Sequence, residues 1–165
     1  MKFTITRINK QNKLTVSTKT VDSFLERIAK DDAKQSVARF RMSVPLLEGD
    51  YQYYKGIKEW QRVYPAAEFS KDESGNLVFQ QSNGLVMLHF INLVTKQEKD
   101  AVKTAVSLLP MTFAAIEGAD GRSLIVLVSI NNEEGKIPTK EADAELLYQS
   151  GYDQVKSLYQ SQVQA

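Results

Sequence analysis

Gly84-Leu85-Val86-Met87-Leu88-His89-Phe90-Ile91-Asn92-Leu93 is the most continuously apolar stretch of the chain, and it holds the only histidine. Eight of its ten residues are glycine or large apolar types, bounded by Ser82-Asn83 before it and Thr95 after it. A run this short and this rich in Val, Ile and Phe is no membrane helix; it reads as a strand covered on both faces, the centre of a sheet. Period-two alternation puts Leu85, Met87, His89, Ile91 and Leu93 on one face and Val86, Leu88, Phe90 and Asn92 on the other. A lone histidine among such neighbours is expected in a hydrogen-bonded core or half-buried position rather than a catalytic or metal-binding one.

Working outward toward the C-terminus, Thr95-Lys96-Gln97-Glu98 has the form of a capping box. The helix it opens buries Ala101, Val102, Ala105, Val106 and Leu109 until Pro110 stops it. Residues 111–117 and 123–130 follow as strands around Gly118-Ala119-Asp120-Gly121-Arg122. Strand, helix, strand from 84 to 117 favours parallel pairing through a right-handed crossover. Pro138-Thr139 starts a last helix with Tyr148, Tyr152, Val155 and Tyr159 on one face.

Toward the N-terminus, residues 63–70 read as a strand that turns at Asp72-Glu73-Ser74-Gly75-Asn76 into a partner over 77–80. Residues 48–61, with Gly49, Gly56, Tyr51, Tyr53, Tyr54 and Trp60, read as a loop packed by its own aromatics. Residues 3–7 and 13–17 form a hairpin across Asn9-Lys10-Gln11-Asn12. Thr20 then caps a helix whose apolar positions are Val21, Phe24, Leu25 and Ile28. A second helix presents Ala33, Val37, Phe40 and Val44 and ends before Pro45. The expected fold is α+β, a mostly antiparallel sheet with helices packed on it, built as a single domain over residues 1–165.

At 165 residues the chain is long enough to bury a real core. The absence of cysteine excludes disulfide frameworks, thiolate metal sites and cysteine nucleophiles. No stretch approaches the roughly 20 apolar residues of a membrane span, and Met1 to Arg7 lack an apolar signal core, so a cytoplasmic protein without a membrane partner is expected. A single histidine rules out two-histidine metal sites and would oblige a Ser-His-Asp arrangement to use His89. Neither a phosphate-binding P-loop nor a Gly-x-Gly-x-x-Gly motif occurs.

The net charge of +1 is unevenly spread: residues 1–62 hold 13 Lys/Arg against 7 Asp/Glu, and residues 63–165 hold 8 against 13. Such asymmetry fits a basic face toward single-stranded DNA or RNA, although an ordinary solvated surface explains it as well. By position, Arg39 and Arg41 on the second helix, Lys55, Lys58 and Arg62 beside the clustered aromatics, and Arg122 in the later turn are the candidate phosphate contacts. Aromatics next to cations can stack bases; more often they anchor a loop.

The run Val63-Tyr64-Pro65-Ala66-Ala67-Glu68-Phe69, a turn, and then residues 83–93 resembles the VirE N-terminal domain of Bacteroides mobile-element proteins. Leu109-Pro110-Met111-Thr112-Phe113-Ala114-Ala115, Gly121-Arg122-Ser123-Leu124-Ile125-Val126 and Pro138-Thr139-Lys140-Glu141-Ala142 extend the resemblance, in order and spacing, over roughly residues 20–160. The resemblance implies an RRM-like, primase-palm-like core that precedes a helicase-like domain or protein. In active relatives the central strand reads glycine, a hydrophobic run and Asp-x-Asp, whose two carboxylates share a face and hold metal ions. Those positions here are His89 and Ile91; the lysine of active relatives falls at Ile125, and a histidine near the last helix has no counterpart. The resemblance therefore implies a catalytically degenerate module, structural or nucleic-acid-docking, with no cofactor. Two other readings stand beside it. A nucleotidyltransferase with Mg²⁺ or Mn²⁺ would use a rearranged site drawn from Glu68, His89, Glu117 or Asp120, and a protein-interaction domain would show a contiguous exposed apolar patch.

Overall fold

A computed structural model describes residues 1–30, 37 and 61–164. Contacts divide the chain into two units, Met1–Tyr64 with Glu68–Gln80, and Pro65–Ala67 with Gln81–Ala165. The expected second helix and the aromatic loop at 48–61, with Arg39, Arg41, Lys55 and Lys58, lie outside the described residues except for Val37, which is helical, and Gln61.

In the first unit Asn9 sets the hairpin. Its side-chain oxygen accepts from the backbone N–H groups of Gln11 and Lys13, and Asn12 takes the left-handed conformation at φ 59° that asparagine tolerates. β1 (Lys2–Ile8) and β2 (Leu14–Thr20) consequently pair antiparallel, Lys2 opposite Thr20 and Ile8 opposite Leu14. Thr20 caps α1 (Val21–Lys30) by accepting from the Ser23 N–H. Val21 is buried and Phe24 meets the buried Phe3 edge to face at 5.3 Å, whereas Ile28, expected on the same stripe, is exposed.

The strand expected over 63–70 is two strands, β3 (Arg62–Tyr64) and β4 (Ala67–Lys71). Proline at 65 has no N–H to give a ladder, and the chain changes partner there: β3 pairs antiparallel with β1, while β4 pairs with β5 (Leu77–Ser82). The carbonyls freed at Pro65 and Ala66 are taken by the side chain and the N–H of the buried Asn83, at 2.9 and 2.8 Å.

In the second unit Gly84 takes a φ of +63°, a conformation that glycine adopts freely and most other residue types do not. A Cβ there would sit 2.9 Å from both the Ile130 carbonyl and Ile137 Cδ1. β6 (Leu85–Phe90) follows, then α2 (Lys96–Ser107), β7 (Thr112–Glu117), β8 (Leu124–Ser129) and α3 (Glu141–Gln164). The capping box is present in full: Thr95 Oγ1 accepts from the Glu98 N–H, and Glu98 accepts from the Thr95 N–H. Val102 and Val106 of α2 are buried, while Ala101 is exposed, contrary to expectation. These two join Val86, Leu88, Leu124, Val126, Val128, Val155 and Tyr159 in one core, with Tyr148 and Tyr152 packed against it.

Two expectations for this unit are corrected. The sheet order is β6-β8-β7 with both pairings antiparallel, so β6 and β7 run parallel but are separated by β8 instead of pairing directly. Among the described residues, then, β6 is an edge strand, and β8 is the centre of its sheet. Burial agrees: Leu124, Val126, Leu127 and Val128 are all buried, whereas in β6 Leu85, Val86 and Leu88 are buried but Met87 and His89 are exposed. Helices cover one face of the sheet, and an α+β architecture of antiparallel sheets and helices is the result.

Candidate functional site

The register of β6 on β8 determines what surrounds His89. His89 pairs with Ile125, and Ile125 with Ile116 on β7. Directly paired residues share a face, so these three lie on the side of the sheet opposite Val86, Leu88 and Val126, away from the helices. Ile91 continues the same face one step past the strand and is 58% exposed; Asn92, at φ 62°, then turns the chain away. His89, Ile91 and Ile125 are thus brought together. His89 is exposed, not buried or half-buried as its apolar neighbours suggest, because their other face supplies the core.

The carboxylates of the rearranged-site reading are occupied elsewhere. Glu117 pairs with the core residue Leu124 and so belongs to the helix-covered face. There it accepts from Lys99 Nζ at 2.7 Å, and Lys99 also donates to the Gly121 carbonyl at 2.9 Å. Asp120 Oδ1 accepts from the Arg122 N–H and from the buried Ser123 hydroxyl at 2.9 and 2.7 Å, which folds the turn before β8. Gly118 makes that turn possible, since a Cβ on it would fall 1.9 Å from Ser123 Oγ. Glu68 lies on β4, in the first unit. Among the described residues no three His, Asp or Glu side chains converge to hold a metal ion.

Of the candidate cations, Arg62 is exposed on β3 in the first unit. Arg122 sits half-buried in the β7–β8 turn of the second, its carbonyl accepting from the Leu93 N–H at the same end of the sheet as His89 and Ile91.

The edge of β6 carries a feature the apolar pattern gave no hint of. The Gly84 carbonyl accepts from Ile130 N–H, so residues 84, 86, 88 and 90 turn their backbone groups toward β8 while Leu85, Met87 and His89 turn theirs outward. The Met87 N–H donates to the Tyr148 hydroxyl, whose pKa burial pushes above the ordinary tyrosine value against this hydrogen bond. α3 therefore runs along the open edge. Farther along, a cleft of about 320 Å³ opens between His89 and Ile91 on one side and Tyr152, Lys156, Gln160 and Gln164 on the other. A larger open groove of about 1160 Å³ lies between residues 131–140 and the start of α3; Lys136 and Lys140 alternate there with Glu133 and Asp143, leaving it no preference for either charge. Lys156, Gln160 and Gln164 repeat every fourth residue, a polar line legible in the sequence but overlooked beside the tyrosines of the core face.

These elements define an α+β chain whose second unit is a split strand-helix-strand with a third strand inserted and a long helix along its edge. Residues 55–165, more than half of the chain, match the family model described as BT4734-like, N-terminal domain, and the chain belongs to that family. No curated protein and no solved structure matches it. Among the described residues no helix is long and apolar enough to cross a membrane.

Proposed function

We propose that this domain is a catalytically degenerate, primase-palm-like module that docks single-stranded nucleic acid, or serves as a structural part, in the replication machinery of a mobile element. The observation that carries the reading is the composition of one sheet face. His89, Ile91 and Ile125 share it at the positions which the resemblance to the VirE N-terminal domain assigns to two metal-binding acids and a lysine. Isoleucine ligates no metal, and one imidazole brings no negative charge to balance divalent ions. A rearranged catalytic site is the weaker alternative, because Glu117 and Asp120 are committed to Lys99 and to their own turn.

Docking on the second unit would draw on Arg122, half-buried in the β7–β8 turn. Titration of a labelled single-stranded oligonucleotide is expected to give binding that weakens steeply as salt rises. Arg122→Ala is expected to weaken it further. Absence of binding at micromolar protein in low salt refutes the nucleic-acid part. One observation favours a second reading: Met87 and Ile91 are exposed on the face that also holds Ile116 and Ile125, an apolar surface suited to a protein partner such as a helicase-like domain.

A further inference from the structure

We infer that the cleft between the edge of β6 and α3 binds a nucleoside 5′-monophosphate, free or as the phosphorylated end of a strand; the inference rests on the nucleic-acid reading above and gives it a defined subsite. Charge is the first argument. Among the described residues Lys156 has no acidic partner; its ammonium stands 6.0 Å from the Tyr152 ring centroid, and no carboxylate lines the cleft. A cation that no described carboxylate pairs with, beside an apolar floor of Phe90 and Val163, favours an anion.

Shape and polarity narrow the anion. About 320 Å³ is at the small end of the roughly 300–1,000 Å³ range of ligand sites, room for one nucleotide. A phosphate monoester carries about −1.5 to −2 at neutral pH, of which one lysine offsets about half, and the exposed cleft leaves the remainder to solvent. A triphosphate normally brings a divalent cation held by carboxylates, which this lining lacks. Gln160 and Gln164, one and two turns beyond Lys156, each offer an amide donor and acceptor to the edge of a base or a sugar hydroxyl. Tyr152 stacks on Tyr148, with centroids 6.3 Å apart and planes 14° from parallel, which holds its ring in place at the wall of the cleft beside Lys156.

The test is an amide-resolved NMR titration of the 165-residue chain with adenosine 5′-monophosphate and, separately, inorganic phosphate. Saturable shifts are expected at His89 to Ile91 and Lys156 to Gln164, with Kd between about 10 µM and 1 mM for the nucleotide and weaker binding of phosphate. Lys156 is exposed, so Lys156→Met should leave the rest of the spectrum unchanged while weakening nucleotide binding about tenfold, and Lys156→Arg should retain it. Absence of shifts at the cleft, equal affinity in Lys156→Met, or equal affinity for phosphate alone overturns the inference. Oligonucleotides with and without a 5′-phosphate separate the two sources: tighter binding of the phosphorylated strand assigns the strand end, and equal binding assigns the free nucleotide. Failure of the nucleotide with salt-dependent strand binding intact removes the cleft alone, whereas Lys156-dependent nucleotide binding without strand binding removes the docking reading alone.

Discussion

The hydroxyl of Tyr159 should prove to be part of a coupled pair and not an isolated contact. It lies in a fully buried side chain, 2.5 Å from Thr112 Oγ1, and Thr112 Oγ1 donates its proton to the Val106 carbonyl at 2.7 Å. Because the threonine proton is committed to that carbonyl, the tyrosine donates to the threonine oxygen. Tyr159→Phe removes one buried hydrogen bond and opens no cavity, a loss of about 1 kcal/mol. Thr112→Val leaves a buried phenol without a partner and takes the donor from Val106, so its loss should be larger, about 2–3 kcal/mol. In the double variant both partners are gone, and the combined loss should fall short of the sum by about 1 kcal/mol. Burial also holds the Tyr159 pKa above the ordinary value of 10, with the Thr112 hydrogen bond acting the other way. A raised folded-state pKa means that the stabilisation is fully present below the unfolded value and is lost as pH rises through the higher folded one; Tyr159→Phe should therefore flatten the alkaline loss of stability. The assay is native-state hydrogen exchange of core amides in β7, β8 and α3 across urea concentrations, since a chain of two units need not unfold in one step. Strictly additive losses, or a Thr112→Val cost no larger than that of Tyr159→Phe, would refute the assigned donor direction.

Gly84→Ala forces a side chain into the left-handed region and against the Ile130 carbonyl, at a cost of about 1–2 kcal/mol before any shift of Ile137. Thermal unfolding should show a midpoint lower by about 2–8 °C, and an unchanged midpoint contradicts the assigned backbone. Lys99→Met should cost about 1 kcal/mol, because it breaks the ion pair with Glu117 and also the bond to the Gly121 carbonyl, in a side chain only 19% exposed. Glu117→Gln should cost less in the same urea titration, since Lys99 keeps its carbonyl partner; the reverse order would assign the stabilisation to the charge pair alone.

Local chemistry was the most legible part of the sequence. Asn9 and Asn12 in the first hairpin, Thr95 and Glu98 at the start of α2, and Pro110 after it act through neighbours a few residues away, so pattern and outcome agree. The order of strands was not legible, because period two assigns a residue to a face and says nothing of which strand lies beside which. Residues 84–93 and 123–130 are both long apolar runs. The polar intrusion of His89 in the first, against five consecutive apolar residues from Leu124 to Val128 in the second, is the sign that distinguishes edge from centre. Proline at 65 carried the warning for the break between β3 and β4. His89 and Ile91 could be placed together from their i, i+2 spacing alone, while Ile125 joined them only through the register of β8.

The exposure of His89 bears on mechanism in a way that burial would not have. An exposed imidazole could join a metal-dependent site only with acids on its own face, and the sheet separates it from Glu117, which belongs to the helix-covered side and reaches Lys99, while the face of His89 holds Ile116, Ile125 and Ile91. Moving an acid across the sheet would require a one-residue slip of β7, which would also turn Ala115 out of the core and Ile116 into it. Which described residues share that face is therefore set by the register and does not depend on the rotamer of one side chain. Among the described residues the polar groups that line the cleft with His89 are those of α3, Tyr152, Lys156, Gln160 and Gln164, of which Lys156 carries a charge. A ligand seated in the cleft would meet Lys156, the one charged side chain of its lining among the described residues, so a negative group on that ligand has a partner there.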